Sequence, residues 1–134
     1  MKDNQPRQRV LSRSVTASGV EHVRLSYDYL ECDDIDGYGS LLDDDVLLDR
    51  PDAPLGRGRA EVVQMLLDRV IPREWHALDG VIADGDHVVV MGRLSQDSGL
   101  TTRAAARVAF VDVFTISETG MLHACRRYYF SPPA

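Results

Sequence analysis

The stretch TTRAAARVAFVDVFTI, residues 101–116, sets the frame for everything around it. Read with period two, Thr102, Ala104, Ala106, Val108, Phe110, Asp112, Phe114 and Ile116 share one face. Arg103, Ala105, Arg107, Ala109, Val111, Val113 and Thr115 share the other. The first set is apolar almost throughout, which predicts a long strand with one buried face. Asp112 interrupts that face. A carboxylate there must be paired, hydrogen-bonded or protonated, because an isolated buried charge is too costly. The purpose of Asp112 is therefore the functional question the sequence poses.

The hairpin that feeds this strand reads EWHALDGVIA, DGD, HVVVMGRLSQ, residues 74–96. The Asp-Gly-Asp turn at 84–86 is a strong hairpin signal. In the return strand Val88, Val90, Gly92 and Leu94 are expected to point inward and Arg93 outward. In the first strand His76, Leu78, Gly80 and Ile82 make the cleaner apolar face. Asp97–Gly99 is read as the turn into the long strand. Beyond Ile116, SETG makes another turn, and MLHACRRYYF, residues 121–130, is the last strand. Strict alternation places Leu122, Ala124, Arg126, Tyr128 and Phe130 on its inward face.

Upstream, Val20, Val23, Tyr27 and Leu30 follow helical spacing over residues 18–32, with Ser18 and Glu21 as a capping box. A short helix is expected over 35–42, burying Ile35, Tyr38, Leu41 and Leu42. A short strand, VLLDR at 46–50, puts Arg50 inward with Val46 and Leu48. Two prolines and two glycines between Pro51 and Gly58 mark a loop. A third helix is expected over 59–70, stopped by Pro72. The order is α-α-β-α-β-β-β-β, an α+β domain of three helices packed on a curved, mostly antiparallel sheet. Residues 1–16 read as a flexible arm, 17–131 as one domain and 132–134 as a tail.

Composition narrows the partners. A net charge of -6 gives no electrostatic reason to bind nucleic acid or an anionic membrane. No apolar run is long enough for a membrane span. Cys32 and Cys125 lack metal spacing and read as free thiols of a cytoplasmic protein. The acidic runs at 33–36 and 43–45 lack the alternating oxygen-ligand pattern of a calcium loop, so no metal is expected.

The ordered set LDDDVLLDRPDAPLGRGRAEVV, VIADGDHVVVMGRL and FVDVFTISETGMLHACRRYYF resembles the nuclear transport factor 2-like superfamily, most closely its SnoaL-like branch. The resemblance spans residues 20–130. It implies a cone-shaped α+β barrel with an apolar pocket at its open end, and a homodimer through the outer sheet face (Val89, Met91, Val111, Val113). It also implies a range of activities, among them ketosteroid isomerases, epoxide hydrolases and polyketide cyclases, and many members without known activity. Asp112 is similar in position to the isomerases' oxyanion-hole acid. Arg50 stands where their general-base aspartate falls, with Asp49 adjacent. Their helix-one tyrosine falls near Ser26, with Tyr27 beside it. The Asp-Arg-Asp set of the epoxide hydrolases is replaced by Leu94, Gly92 and Tyr128.

The resemblance and the inward faces together define the expected site. Asp112, His76 and Tyr128 are the candidate catalytic groups. Arg50, Arg126, Tyr27, Tyr38, Phe110, Phe114 and Leu94 are the candidate ligand contacts, and no cofactor is expected. One reading is a cofactor-independent acid-base cyclase or isomerase acting on a hydrophobic, polyketide-like small molecule by aldol, conjugate-addition or epoxide ring closure. In it Asp112 moves a proton while His76 or Tyr128 polarises an oxygen. The other is a non-catalytic binding or assembly domain in which Asp112 is ion-paired with Arg50 or Arg126.

Overall fold

The computed structural model describes residues 11–96 and 108–130. The expected turn at 97–99, the start of the long strand at 101–107 and the tail at 132–134 lie outside the described residues. So does the arm up to residue 10. The elements run α1 (Arg13–Glu31), α2 (Ile35–Gly39), β1 (Leu42–Asp49), β2 (Gly56–Arg57), α3 (Arg59–Leu67), β3 (Glu74–Asp84), β4 (His87–Gln96), β5 (Val108–Ile116) and β6 (Leu122–Tyr129). This is the expected α+β architecture: three helices against one curved sheet. The six strands lie in the order β2-β1-β6-β5-β4-β3. All neighbours are antiparallel except β1 and β6, which run parallel.

The core lies between the helices and the inner face of the sheet. Val23 of α1, Val62 of α3, Val88 and Val90 of β4, Phe110 and Ile116 of β5 and Leu122 of β6 are all essentially inaccessible. Gly92 lets β4 take part. A Cβ there would sit 2.5 Å from the Ala77 carbonyl oxygen and 3.0 Å from the Phe110 ring. The ring therefore lies flat against bare backbone.

Several boundaries differ from expectation, each for a physical reason. Helix α1 starts five residues early, capped by Ser12, whose hydroxyl accepts the Val15 N–H. Its first turns dock through small residues, not an apolar stripe. The Thr16 hydroxyl donates to the Gly85 carbonyl at 3.0 Å, and Gly19 fits so closely that a Cβ would reach Ile116 at 2.8 Å. Residues 13–16 thus belong to the helix, not to an arm. Helices α2 and α3 are shorter than expected, and β1 begins at Leu42, the residue at which the pattern ended α2. Within the expected loop, Gly56–Arg57 pairs with β1 as an extra edge strand.

Two bulges overturn the simple alternation. On β3, Leu78 pairs with Gly92 and Gly80 with Met91, so Asp79 is an extra residue. Past it the parity flips. Val81 packs on the core, while Ile82, expected inside, is exposed. On β6, Leu122 pairs with Ile116 but Ala124 with Thr115, so the strand advances two residues where β5 advances one. Leu122 stays inside, and the inward set then becomes Cys125, Arg127 and Tyr129. Arg126 and Tyr128, expected inside, point out.

Candidate functional site

The bulge on β6 puts Arg127 directly across from Asp112 in the β5–β6 register. Both are buried, Asp112 to 1% exposure. Arg127 donates Nε to Asp112 Oδ1 at 2.7 Å and Nη2 to Oδ2 at 2.8 Å, a side-on fork. The Tyr27 hydroxyl of α1 donates a third bond to Oδ2 at 2.6 Å. Burial first, and then the Asp112 charge, push the Tyr27 phenol well up, so it remains a donor. The misplaced carboxylate of the sequence is thus an ion-paired, fully hydrogen-bonded group. Its partner is Arg127, neither Arg50 nor Arg126.

The pairing continues as a chain. Arg127 Nη1 donates to Glu74 Oε1 at 2.8 Å. Arg50 approaches Glu74 from the other side, with Nη1 at 3.0 Å and Nη2 at 2.9 Å. Arg50 also forks onto Asp52 at 2.9 and 3.0 Å, and its Nη2 donates to the Tyr129 hydroxyl oxygen at 3.0 Å. Phe110 underlies the chain, with the Arg127 guanidinium 4.5 Å from its ring centroid. Burial alone would raise the Glu74 carboxyl. The Arg50 hydrogen bonds, together with the Arg50 and Arg127 charges, outweigh it and hold Glu74 well below the usual carboxylate range.

That direction carries a prediction. A carboxyl whose pKa is lower folded than unfolded adds stability above its unfolded value, about 4.3 for glutamate. It loses that contribution as pH falls through the folded value. Asp52, lowered chiefly by its bond from Arg50, acts in the same sense. The urea midpoint is expected to be level from pH 7 to about 5 and to fall below about 4. Urea titrations across this range should show a shallower acid limb in Glu74→Gln than in wild type.

His76 is paired on one ring nitrogen and not on the other. Its side chain is 1% exposed, with the Tyr27 ring edge-on at a centroid distance of 4.9 Å and Phe110 at 5.5 Å. Arg127 Nη2 lies 3.2 Å from His76 Nε2. A guanidinium can only donate, so Nε2 is the acceptor and the ring proton sits on Nδ1. Nδ1 is buried and has no hydrogen-bond partner.

Of these groups Tyr27, Arg50, Glu74, His76, Asp112 and Arg127 form the floor of a cleft with about 700 Å³ of empty space, counting its open mouth. Its apolar walls come from Leu30, Ile35, Leu48, Leu66, Ile71 and Phe114. Of the expected site residues, Tyr27, Tyr38, Arg50, His76, Asp112 and Phe114 line it. Phe110 and Leu94 are buried in the core behind it. Arg126 and Tyr128 lie on the opposite face of the sheet, where Arg126 pairs with Asp49 at 3.1 Å. Sequence reasoning missed Glu74, Arg127, Tyr129 and Asp52. Glu74 shares strand parity with His76, so one further step of alternation finds it. Arg127 and Tyr129 could not be placed without the bulge. Among the described residues no group of three or more potential metal ligands comes together. Among the described residues no helix is long and apolar enough to cross a membrane.

The fold and the cleft define the class. A sequence profile of the SnoaL-like domain matches residues 23–123, and the chain belongs to that family, within the nuclear transport factor 2-like superfamily. Solved structures share the fold. Rv0760c of Mycobacterium tuberculosis, in complex with estradiol-17β-hemisuccinate, superposes with a TM-score of 0.71 at 17% identity, covering 84% of this chain and 94% of that one. TerC, co-crystallised with polyporic acid, gives 0.72 at 23% identity, covering 84% and 92%. A candidate ketosteroid isomerase from Kribbella flavida gives 0.70 at 18% identity, covering 89% and 84%. No curated protein matches the sequence. At these identities the solved structures show the fold alone.

Proposed function

We propose that the chain takes up a hydrophobic, polyketide-like small molecule bearing a carbonyl oxygen and acts on it as a cofactor-independent cyclase or isomerase. The observation that carries this reading is the buried Nδ1–H of His76, a donor without a partner in the lining of the cleft. A ligand oxygen completes it. The chemistry rests on holding the ligand folded and on stabilising charge that develops at that oxygen. Asp112 is not the proton carrier in this reading, since its two oxygens already accept three bonds. The proton leaving the attacking carbon is given up to solvent, since the carboxylates of the lining are each held by an arginine. That relatives of this fold hold small organic molecules supports the use of the cleft. A second copy docking on the outer sheet face, beside Arg126 and Tyr128, would leave the cleft open, because the cleft is on the inner face.

Plain binding without turnover is the second reading. It is favoured by the fact that Asp33, Glu74 and Asp112, the carboxylates of the lining, are each held by an arginine. One experiment separates the two. Calorimetry with 2-acetylnaphthalene and 2-ethylnaphthalene is expected to show wild type favouring the ketone about fivefold, with His76→Phe losing the preference but still binding the hydrocarbon. Equal binding of both by wild type would remove His76 from the reading. Deuterium uptake at the ketone's methyl group, followed by NMR in heavy water, is expected to be faster with wild type than with His76→Phe. Binding without that acceleration selects the second reading.

A further inference from the structure

The exposed residues of the cleft lining are all charged: Asp33, Arg69 and Arg73. Their backbone placement is unusual. Helix α1 ends with Asp33 N–H on the Leu30 carbonyl and Asp34 N–H on the Tyr29 carbonyl. Helix α3 ends the same way, with Arg69 N–H on Leu66 and Val70 N–H on Met65. Both are Schellman ends, whose left-handed position normally takes glycine. Here that position is Asp33 in one and Arg69 in the other, each at φ 58°. Each side chain strains its backbone at a place where glycine would relax it. The two meet across the mouth as a bidentate pair at 2.7 and 2.8 Å.

Arg73 is placed differently. It donates Nη2 to the Glu31 carbonyl oxygen at 2.5 Å and lies 5.1 Å from the Trp75 ring centroid. Among the described residues it makes no salt bridge, though its charge also acts on the Asp33 carboxylate. The mouth therefore carries two guanidiniums against one carboxylate. The floor is balanced, with Arg50 and Arg127 set against Glu74 and Asp112, and the nitrogens of both arginines are already engaged. An anionic group would find no free donor on these arginines at the floor and would be satisfied at the mouth.

We infer that the cleft takes an amphiphilic acid, its apolar body against Leu30, Ile35, Leu66 and Ile71 and its carboxylate at the mouth on Arg73 beside Arg69. This rests on the cleft being a ligand site, and it adds the ligand's class and direction of entry. The charge polarity sets the orientation: acid outward, polarisable oxygen toward His76.

The test is calorimetry at neutral pH with 2-naphthylacetate and its uncharged methyl ester. Wild type is expected to favour the acid about fivefold, a preference that shrinks as ionic strength rises. Arg73→Gln is expected to lose the preference while binding the ester as wild type does, and Arg73→Lys to retain much of it. Ester-binding by Arg73→Gln also shows that the variant is folded. Wild type binding acid and ester equally would overturn the inference and leave the ligand cleft standing. Wild type binding neither would overturn both.

Discussion

Replacing Arg127 with methionine is expected to destabilise the fold by about 3–5 kcal/mol, the usual result of removing one member of a buried charge cluster. Arg127 donates to both Asp112 and Glu74. Without it Asp112 keeps one bond, from Tyr27, and its charge has no adjacent counterion. Glu74 suffers less, because Arg50 still forks onto it. Urea denaturation of wild type and variant measures the loss. The double variant Arg127→Met, Asp112→Leu is expected to recover part of it, since the orphaned charge goes with its partner. A cost below about 1 kcal/mol for Arg127→Met would mean that water or a rearranged neighbour replaces the guanidinium, and the ion-paired account of Asp112 would fall.

Phe110→Ala is expected to cost about 3–5 kcal/mol by a different route. The ring is 1% exposed, lies against the bare backbone of Gly92, and packs under both His76 and Arg127. Its removal opens a cavity directly behind the polar floor. Rigid backbone on the Gly92 side limits how far the space can close. Thermal unfolding gives the stability loss. The ketone preference assigned to His76 should weaken in the same variant, because the imidazole loses the surface it rests on. Retention of both stability and preference would show that Phe110 is not the support of the site.

The architecture was readable because it rests on local signals: helical spacing in α1, the Asp-Gly turn at 84–86, and the alternation of Phe110, Asp112, Phe114 and Ile116. The burial of Asp112 followed from that alternation alone. Its partner did not. An alternating pattern carries no mark of where a bulge inserts a residue, and one insertion beside His123 exchanges Arg126 for Arg127 and Tyr128 for Tyr129. Arg50 was placed inward correctly, yet its partner Glu74 lies 24 residues away, across a loop and a helix. The parallel pairing of β1 with β6 was equally hidden, since nothing local records which distant edge a strand will meet. The left-handed Asp33 and Arg69 also escaped notice, because neither is the glycine that announces such a turn.

The place of β6 has a consequence for assembly. It follows every other strand in chain order, yet it lies between β1 and β5. Until it arrives, the sheet is two separate pieces, β2–β1 and β5–β4–β3, joined by the chain but not by hydrogen bonds. The waiting edge of β1 holds Asp43, Asp44 and Asp45, charges that discourage pairing with a stranger. Insertion of β6 then closes contacts across some eighty residues, the kind of long-range event that sets folding speed. The same strand carries Arg127. Joining the two half-sheets and neutralising Asp112 are therefore one step, and a chain that has not completed its sheet has no finished cleft.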